Sequence, residues 1–229
     1  MIVQIYGITT PEDAAAVGAL GPDHVGVVLD EGIETWDSVD LVTARAIVGE
    51  LEGAVRPVAL SLSTDLGRIR RTVEQLEPEI VHLARAADGL DPDAVASLRA
   101  SLDPVEVMTT VPVRGSHALR IAETLAGCSD YLLLDTAHPA TGVVGATGRV
   151  HDWALSATIV DATDVPVILA GGLGPDNVAE AIERVEPWGV DSETRTSHSD
   201  DRRRKDLDAV RRFVETARAT APSGQQGHP

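Results

Sequence analysis

Eight short apolar runs recur along the chain: IVQIY, HVGVVL, RPVALS, EIVHLA, VEVMTT, DYLLLD, VPVILA and WGVDS. Runs of this length, apolar at almost every position, suit strands buried on both faces of a parallel sheet. Between them lie stretches such as PEDAAAVGAL, DLVTARAIVGELE, GPDNVAEAIERV and KDLDAVRRFVETA, whose apolar residues return at spacings of three and four. That period belongs to amphipathic helices, and several of these stretches open on Thr, Asp or Gly followed by Pro, as helix starts do. Thr10 with Asp13 three residues later reads as a capping start and carries no assigned function.

Strict strand and helix alternation, eight times over, predicts a (β/α)8 TIM barrel, an α/β fold in a single domain. An open doubly wound sheet usually stops at about five or six strands. The barrel is expected over residues 1–220. Residues 221–229, APSGQQGHP, are small and polar and are expected to form a disordered tail.

Composition narrows the partners. The net charge of -17 disfavours nucleic acid and anionic membrane surfaces. Lys205 is the only lysine and the acidic residues are spread over the whole chain, a pattern suited to a high-salt, halophilic cytoplasm. Cys128 is the only cysteine and reads as a small buried hydrophobe, so neither an internal disulfide nor a cysteine metal site is expected. No apolar run reaches the roughly 20 residues of a membrane helix, and the start lacks a basic region followed by an apolar one. His24, His82 and His117 show no ligand spacing, so no metal is expected.

In barrels of this kind the chemistry comes from the C-terminal ends of the strands. That rule selects Tyr6, Asp30, His82, Thr109, Asp135, Gly171, Gly172 and Ser192. In PVILAGGLGPDNVAEAI, Gly171 and Gly172 end the seventh run without side chains, so backbone N–H groups can converge on an anion; a tight turn needing glycine for conformation alone reads equally well. Asp135 ends DYLLLD before a glycine-punctuated loop, where apolar walls can raise a carboxyl pKa enough for general acid work; it also suits a turn cap. His138 and His151, in the same loop, are further candidate proton carriers.

Together these motifs resemble the phosphoribosylanthranilate isomerase family. YGITTPEDA is similar to its CGIT-x-PEDA opening, LLLDT with GATGRVHDW to its LLLD and GGTGKTFDW, and VILAGGLGPDNVAEAI to its seventh-strand signature; WGVDSETR and RKDLDAVRRFV correspond to the eighth strand and last helix. The resemblance implies an Amadori rearrangement in tryptophan biosynthesis, in which an acid protonates the ring oxygen of a phosphorylated ribosylamine, a base removes the C2 proton, and no cofactor takes part. It places the acid on Asp135 and substrate or phosphate binding on Gly171, Gly172, Leu173, Ser192, Thr194, Gly148 and Arg149. Tyr6 stands where the family carries its cysteine base, and Gln4 where it carries a lysine. The SPR, QLHG and VSSGVE elements become DEGIETWDSV, HLAR and SETRTSH, so His82 and His138 stay open beside Tyr6 as the base. The implied partner is a small phosphorylated sugar, in the cytoplasm. Two other readings stand beside it: a different phospho-sugar enzyme with Tyr6 as an acid, and a silenced barrel that binds a phosphorylated ligand.

Overall fold

The computed structural model describes residues 1–51, 53, 55–136 and 152–221. Eight parallel strands close into a barrel: β1 (Ile2–Ile5), β2 (His24–Leu29), β4 (Arg56–Ser61), β5 (Ile80–Leu83), β6 (Glu106–Pro112), β7 (Tyr131–Asp135), β8 (Val167–Leu169) and β9 (Gly189–Ser192). Closure is made by β1, which pairs with both β2 and β9. All eight coincide with the apolar runs, and eight helices follow them: α1 (Pro11–Gly18), α2 (Leu41–Gly49), α3 (Leu66–Leu76), α4 (Pro92–Leu102), α5 (His117–Ala126), α6 (Trp153–Ala162), α7 (Val178–Val185) and α8 (Leu207–Thr220). The sequence pattern did not reveal β3 (Ser38–Val39), which lies alongside the end of β2. Two residues are too few for any period to show.

Each continuous apolar run serves two cores, because successive side chains on a strand face opposite ways. Val3, Ile5, Val25, Val27, Val81, Leu83, Leu132 and Leu134 face outward and pack under the helices, forming the larger cluster. Tyr6, Val28, Val58, Ile80, Met108, Tyr131, Leu133, Ile168 and Ala170 face inward and fill the barrel. This alternation corrects one expected rim residue. Thr109 points outward, bonding Ser129 Oγ at 2.7 Å, and its neighbour Thr110 faces the lumen.

Six helices begin on a side-chain oxygen that accepts from a first-turn N–H, namely Thr10, Asp40, Asp65, Asp91, Asp152 and Asp206. Five of the six are aspartates, so part of the acidic excess does local structural work. Cys128 is buried, and Thr10 caps α1 through the N–H of Asp13. No helix among the described residues is long and apolar enough to cross a membrane. Residues 222–229, expected as a tail, lie outside the described residues.

The two ends of the barrel differ in chemistry. At the N-terminal floor, Arg56 reaches Glu79 at 2.8 Å, Glu106, and Tyr131 Oη at 3.2 Å; Tyr131 stacks on Trp188 at 5.3 Å between ring centres. His24 sits against both rings, which places it at the end away from the strand termini that carry chemistry.

Candidate active site

At the C-terminal mouth the strand register brings three residues level. Leu134 pairs with Leu169 and Leu169 with Val190, so one residue further on Asp135, Ala170 and Asp191 stand side by side facing the lumen. Two strand spacings, about 9 to 10 Å, separate the backbones of the two aspartates, and the strand residue between them, Ala170, contributes a methyl. Burial pushes the Asp135 carboxyl up to about 7, partly offset by the Thr136 N–H it accepts at 2.6 Å. Asp191 is pushed up to about 8, by burial first and then by the charge of Asp135. Like charges in a dry site resist ionising together, so the pair holds one proton more readily than none.

Among the described residues, Asp191 has side-chain support from the floor side. Gln4 Nε2 donates to Asp191 Oδ1 at 3.3 Å, and Gln4 Oε1 lies 3.1 Å from His24 Nδ1. Burial, with Arg56 nearby, lowers His24 to about 4, so the imidazole is neutral and its Nδ1–H donates to the Gln4 carbonyl oxygen. That bond turns the Gln4 amide donor toward Asp191. A polar thread thus runs from the floor to the mouth.

Tyr6 points into the barrel rather than out of it. Its ring lies over Gly26, where an added Cβ would come within 2.2 Å of the ring. Tyr6 Oη is 2.8 Å from His82 Nδ1, and His82 Nε2 is 2.6 Å from Thr110 Oγ1. Burial lowers His82 to about 3, while burial and the charges of Asp191 and Glu193 raise Tyr6 well above its ordinary value. The phenol therefore stays protonated and donates to a neutral imidazole, which passes its own N–H to Thr110.

The sequence around Tyr6 contains no cation, yet the fold supplies one. Lys205 arrives from the loop before α8, held by its own N–H on Asp13 Oδ2 at 3.1 Å and by Arg204, which grips both Asp13 oxygens at 3.0 Å. Its ammonium donates to the Glu193 carbonyl and to Ser197 Oγ, both at 3.0 Å. It lies beside Gly7, where a Cβ would meet Lys205 Nζ and Glu193 Oε1 at 3.3 Å each. Burial lowers Lys205 to about 8, against the opposing pull of Glu193, Asp191, Asp37 and Asp13. Burial also raises Glu193, with a further rise from its hydrogen bond to Asp37. Asp191, Glu193, Asp37 and Lys205 were missed by sequence reasoning as members of the site. The one legible signal was Asp191, a carboxyl inside an otherwise apolar strand.

Gly171 and Gly172 adopt φ values of +82° and +68°, which favour glycine. Ser192 Oγ donates to the Leu173 carbonyl at 2.7 Å, and Asn177 bridges Gly174 N–H and the Gly172 carbonyl at 2.8 and 3.0 Å. Thr194 opens a short turn whose next residue, Arg195, packs over Gly174 and pairs with Asp176 at 2.9 Å. Gly171, Gly172, Leu173, Ser192 and Thr194 therefore share one corner of the mouth. Gly148, Arg149, His138 and His151 lie outside the described residues. Asp30 accepts from Gly32 N–H in an exposed turn, and Arg85 is turned to Asp88 at 2.8 Å. A separate cavity of about 460 Å³, lined by Ala87, Leu90, His117 and Arg120 among others, opens outside the barrel between the segment after β5 and α5; no carboxyl lines it.

A closed parallel barrel with carboxyls gathered at its strand ends, beside a glycine corner, defines an acid–base enzyme of the (β/α)8 class. Residues 4–216 match the family described as N-(5'-phosphoribosyl)anthranilate (PRA) isomerase, and the chain belongs to it. It is 37% identical over 218 residues to the N-(5'-phosphoribosyl)anthranilate isomerase of Haloferax volcanii, covering 94% of this chain and 92% of that one. The crystal structure of phosphoribosyl anthranilate isomerase from Thermotoga maritima superposes with a TM-score of 0.78 at 27% identity, covering 96% of this chain and 100% of that one. A structure of such an isomerase in complex with reduced 1-(o-carboxyphenylamino)-1-deoxyribulose 5-phosphate gives 0.76 at 26% identity, with coverage of 96% and 100%.

Proposed function

We propose that this enzyme performs the isomerisation for which its family is named, converting N-(5'-phosphoribosyl)anthranilate to the 1-amino-1-deoxyketose in tryptophan biosynthesis. In this reading Asp135 is the general acid. The observation that carries it is a half-buried carboxyl at the end of β7, level with a second carboxyl across Ala170, whose pKa is pushed up to about 7, so that a proton is available near neutral pH for the ring oxygen. Gly171, Gly172 and Leu173, with Ser192 and Thr194, hold the phosphate; Arg195 adds a cation at the same corner, and Gly148 and Arg149 contribute from the loop after β7. Tyr6 walls the lumen beneath the substrate as a neutral phenol. The reaction runs in the cytoplasm on a small phosphorylated substrate.

The family match and the names of the relatives favour this isomerase over a lyase or a silenced barrel on the same scaffold. Turnover of N-(5'-phosphoribosyl)anthranilate in high salt by the wild type and by Asp135→Ala tests it. Wild-type turnover with a loss of about 10³ in the variant supports the assignment. An inactive wild type rejects the substrate, and an unaffected variant rejects Asp135 as the acid.

A further inference from the structure

The mechanism needs a base, and the residue at the family's cysteine position does not supply one. Tyr6 is ringed by groups that keep it protonated, its hydroxyl is committed to His82, and His82 is itself neutral and committed to Thr110. We infer that Asp191, at the end of β9, is the base that removes the substrate C2 proton. The inference rests on the isomerase reading above and deepens it.

Geometry comes first. The bond opened by the acid, C1 to the ring oxygen, and the C–H bond broken by the base are on adjacent carbons, so the two carboxyls must flank one small group of atoms. Asp135 and Asp191 stand level on alternate strands, and the residue between them contributes only a methyl. A larger side chain at position 170 would fill the space in which those carbons must sit.

The division of roles follows from the donors. Gln4 presents an N–H to Asp191, and Lys205 lies on the same side of the mouth; both favour the ionised form. Asp135 accepts the Thr136 N–H, and when it holds the shared proton the charge that helps raise Asp191 is gone, which leaves Gln4 and Lys205 to favour the Asp191 carboxylate. Glu193, the other inward carboxyl on this side, is bonded to Asp37 and pressed against Gly7. Asp191 is the carboxylate that remains to face the acid.

The steps balance without an external oxidant. Asp135 gives its proton to the ring oxygen as the C1–O bond breaks, leaving an iminium between C1 and the anthranilate nitrogen. Asp191 takes the C2 proton, the C–H pair becomes the C1=C2 bond, and the iminium pair returns to nitrogen. The C2 hydroxyl then gives its proton to the Asp135 carboxylate and becomes the ketone as C1 takes the proton held by Asp191, so both carboxyls return to their starting states, and C2 is oxidised and C1 reduced within one molecule. The chain thus moves the base from the end of β1 to the end of β9, where a thread from the floor already orients a carboxylate.

Asp191→Asn keeps the shape and removes the charge. Steady-state turnover and binding of reduced 1-(o-carboxyphenylamino)-1-deoxyribulose 5-phosphate are measured on wild type, Asp191→Asn and Tyr6→Phe. Expected is a fall in kcat of about 10³ for Asp191→Asn, with affinity for the reduced analogue held to within about fivefold, and a shallower fall for Tyr6→Phe. A kcat for Asp191→Asn within about fivefold of wild type overturns the inference. So does a loss of analogue affinity that matches the loss in kcat, or a Tyr6→Phe defect as deep as that of Asp191→Asn. A wild type that binds the analogue without turnover removes the isomerase reading itself, and the base with it.

Discussion

The floor and the mouth of this barrel are both lined with charged residues, and they use them in opposite ways. At the floor each carboxylate near Arg56 has a partner: Glu79 and Glu106 share the guanidinium, and Tyr131 bridges Arg56 and Glu106. At the mouth Asp191 and Glu193 lie near Lys205, with Asp135 across Ala170 from Asp191, and all three are raised above the usual carboxylate range. The floor satisfies its charges and so contributes to stability. The mouth leaves protons loosely held, at a cost in folding free energy, and that is what acid–base catalysis near neutral pH requires.

The largest effect that would sharpen this contrast is on catalysis. Asp135→Asn should lower kcat by about 10³, or about 4 kcal/mol of barrel-mouth chemistry, while thermal unfolding stays at or above wild type; a drop in activity that tracks a drop in stability would erase the distinction. Gly26→Ala tests the seating of Tyr6. The new methyl overlaps the tyrosine ring in a closed lumen, and a loss of about 3 kcal/mol is expected by urea unfolding. Stability equal to wild type would show that the ring has another place to lie.

At the floor, Arg56→Met should cost about 1 to 2 kcal/mol, because Glu106 and Tyr131 lose a charged donor at a half-buried site, with kcat unchanged. A kinetic defect there would mean that the two ends are coupled through His24 and Gln4. The smallest effect is in the pH dependence of stability. A carboxyl raised to about 7 in the folded state binds a proton that the unfolded chain has already released, so its penalty is absent at low pH and grows as pH rises toward 7. Asp135 faces Asp191 across Ala170, with Lys205 beyond. Relative to wild type, Asp135→Asn should therefore gain stability between pH 5 and 7, by at most about 1.4 kcal/mol per unit. Parallel stability curves would place Asp135 in contact with water.

How far the site could be read from the chain depends on which residues are asked about. Asp135 and the Gly171–Gly172 pair were legible because each ends an apolar run and opens a turn, a local arrangement whose position in a barrel is known in advance. Lys205 was not, because its place beside Gly7 depends on Asp13 catching the start of α8, a contact between opposite ends of the chain. Thr109 was chosen over Thr110 because two adjacent threonines leave the facing ambiguous, and only the pairing with β7 decides it. Tyr6 was singled out by position, while its direction, into the lumen over Gly26, follows from packing.

The sequence by itself determined the barrel, its eight strands, the capped helices and the family, because periodicity and turn chemistry are properties of neighbouring residues along a backbone. It also pointed to Tyr6, where the resemblance places a cysteine. Only closure of the sheet decided what that replacement means. Protonation depends on burial and on charges brought together from β1, β7, β9 and the loop before α8, and no local pattern records that sum.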